Sequence, residues 1–173
     1  AHRLNPRSMN MFSEFGLSAD WPVSYKELEP FYNQAEQLVG VAGSTTDNSR
    51  SRSQPYPQSP HKQSYSSQLL KKAFSEKNLN LIENSVAILS ANKQDRPECN
   101  YCNCCLKGCP RADKGSIDVT YIRMAKATGR CDIKTGCYVT QIEADKNDKV
   151  KGIYYIDNDG VEHFISTPHL ILA

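Results

Sequence analysis

The chain has 173 residues with 21 basic and 19 acidic side chains, a formal net charge of +2. That length suits one ordinary domain or two partial ones. The near-neutral balance, with no basic stripe, argues against a nucleic-acid partner, and no apolar run approaches the ~18 residues of a membrane-spanning helix.

Residues 1–23 read as irregular, with Trp21 beside Pro22 as a packing anchor at a structural corner. The first clear helix follows. Ser24 and Glu27 have capping-box spacing, and Leu28, Phe31, Tyr32, Ala35, Leu38 and Val39 recur at helical period up to Gly40, a suitable C-terminal cap. Pro30 falls early enough in this helix to bend rather than break it. Residues 43–64 are rich in Ser, Gln and Pro and predict a long surface loop. A second helix is expected over 67–77, a strand over 79–89, a cysteine-rich loop after Pro97, and a third helix over 117–128 ending at Gly129. The remainder predicts strands over 138–144, 150–156, 161–165 and 170–172, with Asn158-Asp159-Gly160 as a hairpin turn. The chain opens without a Met and closes on an apolar run that reads as a buried strand, so both ends are expected to be cut.

Five of the seven cysteines fall between Cys99 and Cys109. A disulfide framework spreads its cysteines along a small chain, whereas clustering favours metal or cluster binding. The run Cys99-x2-Cys102-x2-Cys105-x3-Cys109-Pro110 has ferredoxin spacing. Two residues between thiolates let the loop curl around an inorganic core with its amides toward the sulfides. Cys99, Cys102, Cys105 and Cys109 are therefore the candidate ligands, and Cys104 is off-pattern. Three readings stand side by side: an iron–sulfur cluster, a structural zinc site, and a loop whose cysteines are now free or disulfide-linked.

Several stretches resemble the glucose-methanol-choline (GMC) oxidoreductases. Asp20-Trp21-Pro22-Val23-Ser24-Tyr25 with Leu28-Glu29-Pro30-Phe31-Tyr32 carries the first resemblance. Lys114-Gly115-Ser116, Cys137-Tyr138-Val139-Thr140-Gln141-Ile142, Gly152-Ile153-Tyr154 and Leu170-Ile171-Leu172-Ala173 continue it in family order. Within the family, Arg96-Pro97, Cys99, Cys105 and Cys109-Pro110 are similar to the loop of bacterial sugar dehydrogenases, to which Cys102 is an addition.

The resemblance implies an α+β piece of a larger flavoenzyme. Residues 1–129 would be helices of a substrate-side portion with the long loop and the cysteine cluster. Residues 130–173 would be a β-meander belonging to an FAD-binding α/β domain. It further implies FAD as cofactor, an alcohol or sugar substrate oxidised at CH–OH, hydride transfer to the flavin, and onward transfer through an iron–sulfur cluster to a cytochrome or other acceptor subunit. The strand carrying Val139 would lie against the FAD adenine. The family's Gly-rich dinucleotide fingerprint and its catalytic histidine fall outside these residues, so no catalytic residue is assigned and the piece alone is expected to be inactive. His2, His61, His163 and His169 read as surface or packing histidines, His2 being nearest the flavin-facing region. The readings of another class are an autonomous iron–sulfur electron carrier and a zinc-stapled interaction module.

Overall fold

The Ser24 hydroxyl accepts a hydrogen bond from the Glu27 backbone N–H, and the Glu27 carboxylate accepts from the Ser24 N–H. This reciprocal capping starts helix α2, Tyr25–Val39, which ends at Gly40 in a left-handed conformation (φ 79°). A Cβ at Gly40 would collide with the Leu89 side chain, so glycine there serves both the cap and a close approach. The computed structural model describes residues 2–173. These fall into two compact units, one reaching to Ala125 and the other covering Lys126–Ala173. The class is α+β: among the described residues there are four α-helices and one three-stranded antiparallel sheet.

In the first unit, a 3-10 turn (Pro6–Met9) and a short helix α1 (Met11–Phe15) occupy part of the stretch expected to be irregular. Trp21 is half-exposed, which corrects its reading as a packing anchor. Helix α3, Tyr65–Glu76, is capped by Ser64 and begins two residues earlier than its pattern suggested. The expected strand over 79–89 is not one. Its residues make only isolated pairings, Val86 with Ala42 and Ile88 with Lys114. Without a continuous partner the backbone cannot build a ladder, and the apolar side chains of this stretch line a cavity instead. The core is correspondingly small: Met9, Val41, Ala42 and Leu89 are its buried apolar residues.

Buried charge supplements that core. The Arg3 guanidinium, 1% exposed, grips Glu36 with two bonds of 3.0 and 2.9 Å and reaches Glu29 at 2.9 Å. Arg52 adds a second ion pair to Glu36 and stacks on the Tyr56 ring at 3.6 Å. The pKa of Glu29 falls to about 2, through the Ser53 backbone N–H first and Arg3 second. Burial alone would raise Glu36, but the bonds from Arg3 and Arg52 outweigh it and its pKa is lowered. This network ties the start of the chain to α2 and to the Pro-rich loop.

The expected helix over 117–128 divides in two. Asp118–Ile122 is a π-helical turn in which the Ile122 N–H bonds to the Ile117 carbonyl, and α4 covers Arg123–Ala127.

In the second unit, β1 (Tyr138–Ala144), β2 (Val150–Ile156) and β3 (Glu162–Ser166) form a meander in the order β1-β2-β3. The turn after β2 closes with Gly160 at φ 78°, and the Asp157 carboxylate accepts from the N–H groups of Asp159 and Val161. The expected strand over 170–172 is absent, because no segment of the described chain pairs with it.

Candidate metal centre in the cysteine loop

Arg96 anchors the loop. It is buried, and its guanidinium donates to the carbonyls of Val39 (2.9 Å), Ala112 (2.8 Å) and Asp113 (3.1 Å). One side chain therefore joins the end of α2 to the exit of the loop. A tight turn, in which Lys93 and Arg96 exchange backbone bonds of 2.9 and 3.0 Å, sets this side chain in place. The Cys99 N–H then donates to the Leu89 carbonyl and the Leu89 N–H to that of Asp113, so entry and exit meet on the core. Lys114 Nζ donates to the Cys105 carbonyl at 2.8 Å.

Between these anchors the chain curls. Tyr101, Asn103, Gly108 and Ala112 all have positive φ. The Tyr101 N–H donates to Cys99 Sγ at 3.4 Å. All seven cysteines are free thiols. Cys99, Cys102, Cys104, Cys105 and Cys109 share the lining of one cavity of about 650 Å3. Leu70, Ile82, Val86 and Ile88 form its apolar side. Cys104 thus stands on the same wall as the patterned thiols. As the loop stands, its thiols are spread around that wall. Among the described residues no three His, Cys, Asp or Glu side chains already converge on one point.

Two cavity residues were not singled out from sequence as site residues. His61, read as a surface or packing histidine, places Nε2 3.0 Å from the Ile88 carbonyl and Nδ1 3.1 Å from the Tyr101 hydroxyl. A carbonyl can only accept, so Nε2 carries the proton and Nδ1 accepts from the tyrosine. Asp113 is the other. Its side chain is 2% exposed, the Cys109 thiol donates to Oδ1 at 2.7 Å, and Oδ2 has no hydrogen-bond partner. Neither residue had a local signal: a lone His and a lone Asp in loops carry no periodicity.

The surroundings of Cys99 and Cys104 favour the protonated thiol. Burial pushes the Cys99 thiol up, and the charges of Asp113, Cys105 and Cys102 add to that. Cys104 is raised by its hydrogen bond with Cys102 and then by the same crowd of sulfurs. Thiolates gathered beside a buried carboxylate repel one another, whereas a bound cation reverses the sign of each contact. Sulfur and carboxylate are donor types that iron and zinc accept, although these side chains do not converge as the loop stands.

The family model for GMC oxidoreductase matches residues 85–173, just over half of the chain and inclusive of both the cysteine loop and the meander. The chain belongs to the GMC oxidoreductase family. It is 25% identical, over 99% of its length, to the fructose dehydrogenase large subunit of Gluconobacter japonicus, of which it covers 32%. To the gluconate 2-dehydrogenase flavoprotein of Pantoea cypripedii it is 25% identical over 88% of its length, covering 28% of that protein. To 2-methyl-1,2-propanediol dehydrogenase of Mycolicibacterium austroafricanum it is 27% identical over 99% of its length, covering 31%. The chain thus spans about a third of the length of these curated relatives.

GMC membership implies FAD. In this chain the residue proposed to meet it, Val139, lies on β1, an edge strand of the meander, opposite Tyr155 and about half-exposed. The register slips between Val139 and Gln141, a bulge at Thr140 that turns the edge. Among the described residues no helix is long and apolar enough to cross a membrane.

Proposed function

We propose that this GMC chain is part of a flavin-dependent dehydrogenase that oxidises a CH–OH group of an alcohol or sugar and passes the electrons on through an iron–sulfur cluster. The observation that carries the second half is the common cavity wall of Cys99, Cys102, Cys105 and Cys109, at ferredoxin spacing, inside a GMC match. The names of the similar proteins, dehydrogenases of fructose, gluconate and a diol, favour a polyhydroxy substrate. Bound FAD would take the substrate hydride, and a bound cluster would supply one-electron transfer away from it.

The chain's own residues have holding roles. Cys99, Cys102, Cys105 and Cys109 are the thiolates that spacing offers to the cluster, after tightening of the loop around it. Arg96 and Lys114 brace that loop, and the Val139 main chain lies against the adenine. Residues 1–129 form the substrate-side portion and 130–173 the flavin-side meander. Electrons leave to an acceptor subunit such as a cytochrome, in keeping with the large-subunit name of the fructose dehydrogenase relative.

The test is the intact protein, produced without oxygen and assayed for FAD, iron and acid-labile sulfide, then mixed with fructose, gluconate or a diol. FAD together with iron and sulfide, with flavin bleaching on one of these substrates, supports the proposal. FAD without iron or sulfide removes the cluster. Zinc alone in place of iron points to a structural staple, and iron and sulfide without FAD to a separate electron carrier.

A further inference from the structure

We propose that Cys102 and Cys104 form a reversible dithiol–disulfide pair, a redox switch in the middle of the cysteine loop that closes while the loop holds no metal. This goes beyond the proposed function and does not depend on it, because it concerns the loop as a set of free thiols. Reduction returns Cys102 to the thiolates that the loop offers to a cluster.

A single residue separates the two cysteines. In an extended chain, positions two apart stand roughly 6.6 Å from each other, near the outer limit of the roughly 4.4–6.8 Å that a disulfide spans. Asn103 between them is left-handed, at φ 59°, which draws its two neighbours together. The Cys104 thiol is already turned toward its partner. It donates to the Cys102 carbonyl at 3.4 Å, and a hydrogen bond with the Cys102 side chain raises its pKa. Both sulfurs line one cavity, and Cys102 is exposed, within reach of a soluble oxidant. Two neighbouring sulfurs are engaged elsewhere: Cys109 donates to Asp113 Oδ1 at 2.7 Å, and Cys99 accepts from the Tyr101 N–H at 3.4 Å. Cys104 lies off the ferredoxin pattern and has no other assigned role.

The oxidant is a peroxide. The Cys102 thiolate attacks one peroxide oxygen, the O–O bond breaks, and the departing oxygen takes up a proton and leaves as water. Cys102 is then a sulfenic acid. The Cys104 sulfur attacks the Cys102 sulfur, the S–S bond forms, and the hydroxyl leaves as a second water with the Cys104 proton. Two thiols lose two electrons and one peroxide becomes two waters. A ring closed over one residue is strained, and strained or exposed disulfides are the readily reduced ones, so this bond suits a switch and not a permanent staple. While it is closed, Cys102 has no thiolate to give to a metal.

The experiment treats the intact protein, stripped of metal, with hydrogen peroxide and maps its peptides by mass spectrometry without reduction. We expect most molecules to lose two hydrogens, with the loss confined to residues 102–104, and dithiothreitol to restore both thiols. Cys105→Ser keeps this signature, whereas Cys104→Ser and Cys102→Ser each reduce it at least several-fold. Loss of two hydrogens between other cysteines overturns the proposal, as does oxygen addition alone. A signature that persists in Cys104→Ser also overturns it.

Discussion

The His61 imidazole accepts a hydrogen bond from the Tyr101 hydroxyl at 3.1 Å although 40 positions separate the two residues, and the rings meet edge to face at 5.6 Å. The other ring nitrogen is bonded to the Ile88 carbonyl, so one histidine links the Pro-rich loop, the cavity wall and the middle of the cysteine loop. Removing it frees Tyr101, which sits between Cys99 and Cys102. We expect His61→Leu and Tyr101→Phe to speed alkylation of Cys99 and Cys102 several-fold, read by mass spectrometry. Glutamine offers one donor and one acceptor in similar places, so His61→Gln should stay near the wild-type rate. Equal rates in His61→Leu and the wild type would mean that the bond does not hold the loop.

The cysteines are not equivalent. Cys105 is on the ferredoxin pattern and its carbonyl is held by Lys114, whereas Cys104 is off-pattern and turns its thiol to the Cys102 carbonyl at 3.4 Å. Cys105→Ser is expected to remove most iron and the brown colour from anaerobic protein, and Cys104→Ser to leave both. Equal loss in the two variants would show that the ligand assignment is wrong.

Acid should loosen the first unit. Glu29 and Glu36 both have depressed pKa values in the fold, Glu29 at about 2. Their contribution is full above the unfolded carboxylate range near 4.5 and is lost as pH falls toward 2. Melting temperature should therefore decline across that window. Glu36→Ala leaves Arg52 without its ion pair to Glu36 and Arg3 with Glu29 as its remaining carboxylate, and should cost about 3–5 kcal/mol at neutral pH. A denaturant titration showing less than about 1 kcal/mol would assign the network a minor role.

The meander has its own weak point at Gly152. This residue sits in the central strand β2, opposite Glu143 and Ser166. A Cβ there would collide with the Ile165 carbonyl and come within 2.5 Å of the Phe164 ring, which packs on Tyr154 at 4.8 Å. Gly152→Ala should destabilise this unit by about 1–3 kcal/mol through overpacking, seen as earlier hydrogen exchange in β2 and β3. Unchanged exchange would show that the sheet absorbs the methyl group.

Residues close in sequence settled much of this protein by themselves. Helix α2 with its Ser24–Glu27 box and Gly40 cap rests on interactions a few positions apart, and the β1-β2-β3 meander on pairing between strands that follow one another, both of which pattern can express. The family resemblance was legible for the same reason, being carried by short ordered motifs. The stretch 79–89 was misread because its apolar residues say that a side of the chain is buried, not whether a strand or a cavity buries it. Tertiary structure alone brought His61, Ile88, Cys99 and Asp113 to one cavity, through long-range bonds such as Arg96 to Val39 and Leu89 to Asp113. The unsatisfied oxygen of Asp113 belongs to the same category, because burial and missing partners are properties of a packed chain and have no trace in the order of its residues.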